Sequence, residues 1–457
     1  MSNSVAQTIK DRYLSRTTGS LANDARAKTY LPGGDTRTST YYFPYPTYMV
    51  RGKGCQIYDC DGNQYIDFVN NFTTLIHGHA HPAIVDVVQK QAPQGLVFSS
   101  AATAQAELAQ IICERVPSID LLRFTNTGTE ATMMAMRAAR AFTGKDVILK
   151  MDGGYHGTHD FAEVNQIPDL KSDGLPTAHV EGPGIPACIL DGMMVTPYND
   201  LEATETILKV HADEIAAIIM EPLMGAGGGL TPRPGYLRGM RELADKYDVL
   251  LIFDEIITFR FSLGGFQAIE GVYPDLTTLG KVIGGGFAVG AFGGRREIME
   301  RFDPAHPQKI THAGTFNGHN VTMAAGIAAM RLYDQAAIDH INGLGERLKA
   351  GFNQAFQRVG IKGQAVGFGS ILIIHWTDQS LTTSRDFVRS IIAVGELPQL
   401  LHMEMLNRGI FSVTRGMYSV STAMTEREID QAIASFESTL QLLKPYAAEV
   451  APHLIAR

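Results

Sequence analysis

The chain has 457 residues, 45% hydrophobic and 19% charged, with a formal net charge of -8; that length allows two or more subdomains with sizeable cores. The acidic balance argues against a nucleic-acid partner, which calls for a basic surface, and no apolar run reaches the length of a bilayer crossing. Four cysteines (Cys55, Cys60, Cys113 and Cys188) are too few for a disulfide framework, and Cys55 and Cys60 lack the second pair that a zinc site needs. Buried or incidental thiols in a reducing cytoplasm are therefore expected.

The N-terminal "MSNSVAQTIKDRYLSRTTGS" is polar and lacks the apolar core of a signal peptide. It reads as a frayed arm or as a helix lying on a partner subunit, within an irregular stretch over residues 1–45. "MVRGKGCQIYDCDGNQYIDF" predicts short strands joined by a turn at Asp61-Gly62. In "HGHAHP", His77, His79 and His81 alternate as zinc ligands can, but no acidic or cysteine ligand sits at useful spacing. A structural or site-lining turn is expected there, and no metal.

From about residue 100 helical periods alternate with short apolar runs: "LLRFTN", "DVILKMD", "AAIIMEP", "DVLLIFDE" and "AVGAFGG". That alternation predicts an α/β region with a mostly parallel sheet flanked by helices, running to about residue 330. Helical "IDHINGLGERLKAGFNQAFQRVG", strand-like "SILIIHW" and helical "TEREIDQAIASFESTLQLLKPY" then predict a smaller α+β piece. The expected division is 1–100, an N-terminal arm with part of the small domain; 101–330, the large domain; and 331–457, the C-terminal small domain.

Ligands of such sheets bind beyond the carboxyl ends of the strands, and the informative residues fall there. "FTNTGTEATMMAMRAARAFTG" puts Thr127, Gly128 and Thr129 at the mouth of an amphipathic helix. Its free amides suit a phosphate, or simply need a cap. "DGGYHGTHD" sets Tyr155 and His156 between glycines, where an aromatic can stack on a planar ring or pack the loop. Glu221 ends "AAIIME", and Asp254 ends "VLLIFDE". A carboxylate buried there needs a cationic partner such as a protonated pyridine, unless it caps a helix. In "TTLGKVIGGG" a lysine precedes three glycines. A phosphate-cradling P-loop fails, because Val282 follows the lysine and Asp275 stands where a glycine is required. An imine-forming lysine, beside a backbone bare enough for a flat cofactor, and a surface lysine before a turn both remain.

Taken in order, "NTGTEA", "GYHG", "MEPLMG", "FDEI", "TTLGKVIGGG" and "HAGTFNGHN" resemble the class III aminotransferases, over about residues 30–440. The resemblance implies a fold type I transferase: a large domain with a seven-stranded sheet, a smaller α+β domain, and pyridoxal 5'-phosphate as cofactor. By this resemblance Lys281 holds the cofactor covalently and shuttles a proton, while Asp254 pairs with the pyridine nitrogen. Ile256 and Tyr155 cover the two ring faces; Thr127, Gly128 and Thr129 form the phosphate loop. Thr315 reaches the phosphate of a neighbouring subunit, so a homodimer with shared sites is implied. Glu221 is a carboxylate near the cofactor.

Within the family the chain looks most like the β-amino acid aminotransferases and the glutamate-1-semialdehyde aminomutases. Its "TFR" (Thr258 to Arg260) is one glycine short of the aminomutase "TGFR". "PGGDTR" and "TRGM" match the β-amino acid branch and carry Arg37 and Arg415, whose planar forks suit substrate carboxylates. "YYFPYPTY" beside Arg37 would line a pocket for an apolar or aromatic substituent, or pack an interface. The resemblance thus implies amino-group transfer from a β-amino acid to a keto acid, or, alternatively, an aminomutase.

Overall fold

The computed structural model describes residues 2–171 and 174–456. The chain divides into two compact units: Met1–His81, Asp339–Ser380 and Arg389–Arg457 in the first, Pro82–Ile338 and Leu381–Val388 in the second.

The second unit is built on a seven-stranded sheet: β1 Leu121–Thr125, β2 Val147–Met151, β3 Met193–Thr196, β4 Ile215–Met220, β5 Leu250–Asp254, β6 Leu276–Gly280 and β7 Gly290–Gly294. Their spatial order is β1-β7-β6-β5-β4-β2-β3. β7 runs antiparallel to both β1 and β6, and the other pairs are parallel. β2, β4 and β5 are buried along their whole length. Burial on both faces explains why they read as continuous apolar runs rather than alternating ones. The expected α/β architecture with its mostly parallel seven-stranded sheet is therefore present.

Five of these strands lie in the predicted runs; β3 and β6 do not. β3 has only four residues. β6, "LTTLG", reads as polar, yet Thr277 and Thr278 are fully buried. Their hydroxyls are satisfied inside the sheet, Thr277 by the Ser118 hydroxyl at 2.8 Å and Thr278 by donating to Asp254 Oδ1 at 3.1 Å. Buried threonines with partners cost little, and their branched carbons favour a strand.

Helix α1, Gly128–Thr143, lays Ala131, Met134, Ala135 and Ala138 into the core, with the partly buried Phe142 packed against it. Between β6 and β7 the chain reverses through Lys281 and the three glycines. Gly285 takes a positive φ of 59°. A Cβ there would lie 2.5 Å from the carbonyl oxygen of Ala325, on the helix Asn320–Leu332. At this glycine, chain reversal and close helix approach set the requirement.

The first unit departs from the expected irregular N-terminus. Ser2–Arg16 and Thr18–Ala27 are helices, and Ile9 and Tyr13 are buried in this same chain. Tyr13 Oη donates to the carbonyl of Tyr45 at 2.7 Å, and Arg12 pairs with buried Glu404 at 2.7 Å. The segment is helical and packs on its own chain. Its few apolar residues, Ala6, Ile9 and Tyr13, form a narrow stripe that is easy to miss in a polar sequence. Met49–Lys53, Gln56–Asp59 and Gln64–Asp67 form the expected antiparallel strands, and Ile410–Phe411 adds in parallel. A second sheet joins Gln364–Phe368, Ile371–His375 and Met417–Ser419. Phe352 and Phe436, from the long helices Gln335–Val359 and Glu426–Val450, stack at 4.0 Å. Among the described residues no helix is long and apolar enough to cross a membrane.

Candidate active site

The carboxyl ends of β4, β5 and β6 bring Glu221, Asp254 and Lys281 together in the second unit. Asp254 is the last residue of β5 and is buried. Its Oδ1 accepts from the Thr278 hydroxyl at 3.1 Å and from the Ile256 amide at 3.2 Å. Its Oδ2 lies 2.8 Å from His156 Nδ1. A carboxylate only accepts, so Nδ1 carries the hydrogen. Burial pulls His156 below the ordinary imidazole range, although the bond to Asp254 opposes this. Burial thus favours the neutral imidazole, which donates to Asp254 and orients it. The buried Nε2 of His156 has no hydrogen-bond partner among the described residues.

Lys281 follows β6 directly, half-buried, with a φ of 49°. A non-glycine residue in that region is disfavoured, and such residues cluster at functional sites. Its charge is near enough to lower the pKa of Glu221. Burial raises that pKa more, and the charge of Asp254 adds to it, pushing Glu221 up to about 7. Glu221 accepts from the amides of Tyr155 at 3.2 Å and Gly225 at 2.9 Å.

The N-terminus of α1 adds an anion-binding geometry. Thr127 is the N-cap, and its hydroxyl accepts from the Glu130 amide at 3.1 Å. The first amides of the helix, at Gly128 and Thr129, have no intrahelical acceptor and face the positive end of the dipole. A Cβ on Gly128 would come 2.6 Å from Cδ1 of Ile256. Glycine at this position therefore lets Ile256 sit against the loop. A planar anionic cofactor fits this set: donors for a phosphate at one end, a charged carboxylate at the other, and an isoleucine between.

Eight of the expected residues thus belong to this unit's sheet edge: Thr127, Gly128, Thr129, Tyr155, Glu221, Asp254, Ile256 and Lys281. Tyr155 is partly exposed, at 39%. Thr315 lies on an exposed turn, Gly314 to Asn317, closed by the Asn317 amide on the Gly314 carbonyl at 3.1 Å, and Asn317 Oδ1 accepts from the side chain of Asn126, next to Thr127, at 2.9 Å. Arg37 and Arg415 belong to the first unit, and each guanidinium lies over the ring of Phe72. Of the three histidines, His79 pairs with Asp67 at 2.7 Å and His77 Nδ1 lies 3.2 Å from the Thr422 hydroxyl. No metal-binding group of three or more His, Cys, Asp or Glu occurs among the described residues.

Two contributors had no role assigned from sequence. His156 was visible in "GYHG", but its partner lies 98 positions away. Lys150 is the lone charge in the strand "VILKM" and is fully buried. It donates to the carbonyls of Gly154 at 2.9 Å and Ala162 at 3.0 Å, and also to that of Val164. That clamp shapes the loop carrying Tyr155 and His156. A lysine inside an otherwise apolar strand was the available signal.

A family model described as aminotransferase class-III matches residues 39–440. The chain is 38% identical over 420 residues to a glutamate-1-semialdehyde 2,1-aminomutase of Methanothrix thermoacetophila, covering 91% of this chain and 95% of that one. It is 36% identical over 439 residues to the beta-phenylalanine transaminase of Variovorax paradoxus, covering 95% and 96%. The crystal structure of an omega-transaminase from Sphaerobacter thermophilus matches with a TM-score of 0.89 at 42% identity, over 93% of this chain and 98% of that one.

Proposed function

Because this chain belongs to the class III aminotransferases, enzymes that use pyridoxal phosphate, we propose that it moves the amino group of a β-amino acid with an apolar or aromatic side chain to a keto acid such as 2-oxoglutarate or pyruvate. The observation that carries the substrate class is a cavity of about 390 Å³ within the first unit. Arg37 lies on its wall beside Tyr41, Tyr42, Met49, Ile57 and Phe411. Arg51 and Asp67 also line it, so the wall combines charged groups with an apolar, aromatic surface, which suits a carboxylate joined to an apolar substituent. Arg37 donates to the neutral Asn71 Oδ1 at 2.8 Å and makes no ion pair among the described residues.

When bound, pyridoxal phosphate supplies an aldehyde for the amine and a ring that withdraws electrons. In this reading Lys281 Nζ holds the cofactor and then takes the proton from the amine-bearing carbon. Asp254, oriented by His156 and Thr278, keeps a negative charge beside the pyridine nitrogen. Thr127, Gly128 and Thr129 hold the phosphate, and Ile256 and Tyr155 cover the ring. Arg37 takes the carboxylate of the β-amino acid and Arg415 the carboxylate of the keto acid. The reading includes a homodimer in which Thr315 serves the partner's phosphate.

A second reading, an aminomutase acting on glutamate 1-semialdehyde, has the 38% identity to the Methanothrix protein in its favour. Single-turnover mixing separates the two. β-Phenylalanine should bleach the yellow loaded enzyme, and 2-oxoglutarate or pyruvate should restore the colour. Release of 5-aminolevulinate from glutamate 1-semialdehyde, with no response to β-phenylalanine, gives the function to the aminomutase.

A further inference from the structure

Strand β2 carries one charged side chain into the interior of the second unit. Lys150 is fully buried, and its ammonium donates to the carbonyls of Gly154 at 2.9 Å, Ala162 at 3.0 Å and Val164. Three acceptors use all three N–H groups of an ammonium, whereas a neutral amine would serve only two. A methionine or leucine would fill the same place in an apolar strand without the cost of burying a charge. What the ammonium binds therefore accounts for it better than packing does, and all three acceptors are main-chain oxygens of one loop. Burial pulls its pKa down to about 7, while the charges of Glu181, Glu221, Asp152 and Glu163 raise it.

From Gly154 to Val164 the chain forms no helix and no strand, so no regular element spaces the groups on it. Three of them meet the site described above. The Tyr155 amide donates to Glu221 at 3.2 Å, and His156 Nδ1 lies 2.8 Å from Asp254 Oδ2. At Gly157, with a φ of 99°, a Cβ would lie 2.5 Å from the Thr129 hydroxyl, so the loop passes directly against the start of α1. Other ties hold single points of the loop: the Thr132 hydroxyl donates to the His156 carbonyl at 2.6 Å, and the Gln166 side chain to the Gly157 carbonyl at 2.8 Å. Lys150 draws both ends of it to one nitrogen. We propose that Lys150 is a positioning residue: it fixes this loop so that Tyr155 lies on the cofactor ring and His156 meets Asp254. The inference rests on the reading that Tyr155 covers that ring and Asp254 pairs with its nitrogen. Lys150 acts through the loop, not on the reacting atoms.

The test compares the wild type with Lys150→Met, which keeps the length and removes the donors. Three quantities are measured at about pH 6, where the ammonium holds its proton: the melting temperature of the cofactor-free protein, the Kd for pyridoxal phosphate, and the circular dichroism of the visible band per cofactor bound. The variant should show weaker dichroism even when fully loaded. Its Kd should rise by about threefold to tenfold, the worth of one aromatic contact. Tyr155→Ala and His156→Phe, which remove the two positioned groups directly, should shift the same two quantities. If Lys150→Met does not fold, Lys150→Gln, which keeps two N–H donors on a shorter chain, is judged by the same readings. A folded variant that melts lower but keeps the wild-type dichroism and Kd, while Tyr155→Ala and His156→Phe change them, would overturn the proposal and leave Lys150 as a tie of the fold. Wild-type dichroism and Kd in Tyr155→Ala and His156→Phe would instead overturn the reading on which it rests.

Discussion

Asp254 shows how neighbours set the behaviour of one side chain. A buried carboxylate is costly unless it is bonded or paired. Here a hydroxyl, an amide and a neutral imidazole satisfy its oxygens, and none of them supplies a positive charge. Burial raises the pKa of nearby Glu221, and the charge of Asp254 adds to the effect. That pKa rises from 4.5 to about 7 in the folded chain. A raised carboxyl pKa means the folded state binds the proton more tightly than the unfolded one. Its stabilising effect is full below pH 4.5 and is lost as pH rises to about 7. Glu221→Gln should remove that slope in the cofactor-free protein. At about 1.4 kcal/mol per pH unit, the variant should gain about 3 kcal/mol on the wild type between those limits. Glutamine leaves one of the two backbone donors facing an NH2, so a constant offset is expected and the slope is the readout. Melting curves of both proteins at several pH values check this. Parallel curves would mean that Glu221 does not titrate in this window.

At the scale of an element, two glycines of the helix Gln335–Val359 look alike in sequence, "NGLGE", but meet opposite surroundings. Gly343 is exposed, with nothing within 4 Å of where a Cβ would stand. Gly345 is buried, and a Cβ there would run into the Gly369 carbonyl and come 2.8 Å from the Ser370 Cα. Gly343→Ala should stabilise the protein by about 0.5–1 kcal/mol, through helix propensity and a smaller unfolded ensemble. Gly345→Ala should destabilise it by about 2 kcal/mol or more, since backbone cannot swing aside as a side chain does. Thermal midpoints of the two variants should move in opposite directions. Shifts of the same sign would mean that propensity outweighs packing along this helix. β6 makes the same point for strands: its threonines are tolerated because Ser118 and Asp254 take their hydroxyl bonds.

For the whole molecule, the exposed apolar side chains of the second unit bear on assembly. Leu96, Phe98 and Phe316 are each more than half exposed in the single chain, and Phe316 adjoins Thr315. Such residues favour a covered surface. In a homodimer with shared sites, mixing Lys281→Ala and Thr315→Ala chains gives heterodimers with one doubly defective site and one intact site. If half of the dimers are mixed, about a quarter of the sites should be restored, and cofactor retention at limiting pyridoxal phosphate should report them. This complementation, available only when sites draw on both subunits, is absent if each chain completes its own. A fully active monomer in sedimentation would likewise remove Thr315 from the partner's site.

Sequence alone determined the elements whose signal is local. The continuous apolar runs marked five of the seven large-sheet strands, because burial on both faces leaves no polar alternation. Thr127 marked the start of α1, and the helical spacing behind it marked its buried face. The ordered motifs named the family and its cofactor, and they drew Asp254, Glu221 and Lys281 to strand ends, where such sheets bind ligands. Tertiary structure decided what depends on distant partners. "VNNFTT" carries no glycine to announce the positive φ values of Asn70 to Thr73; Asp67 and Ser419 hold that turn. Arg37, Phe72 and Arg415 meet across more than 340 positions of chain. Burial pulls the His156 pKa down, and Asp254 orients the ring. Local preferences amount to about 1 kcal/mol per residue, whereas burial and satisfied polar contacts accumulate over many partners. Where the two conflict, as in the polar strand β6, the folded neighbourhood prevails.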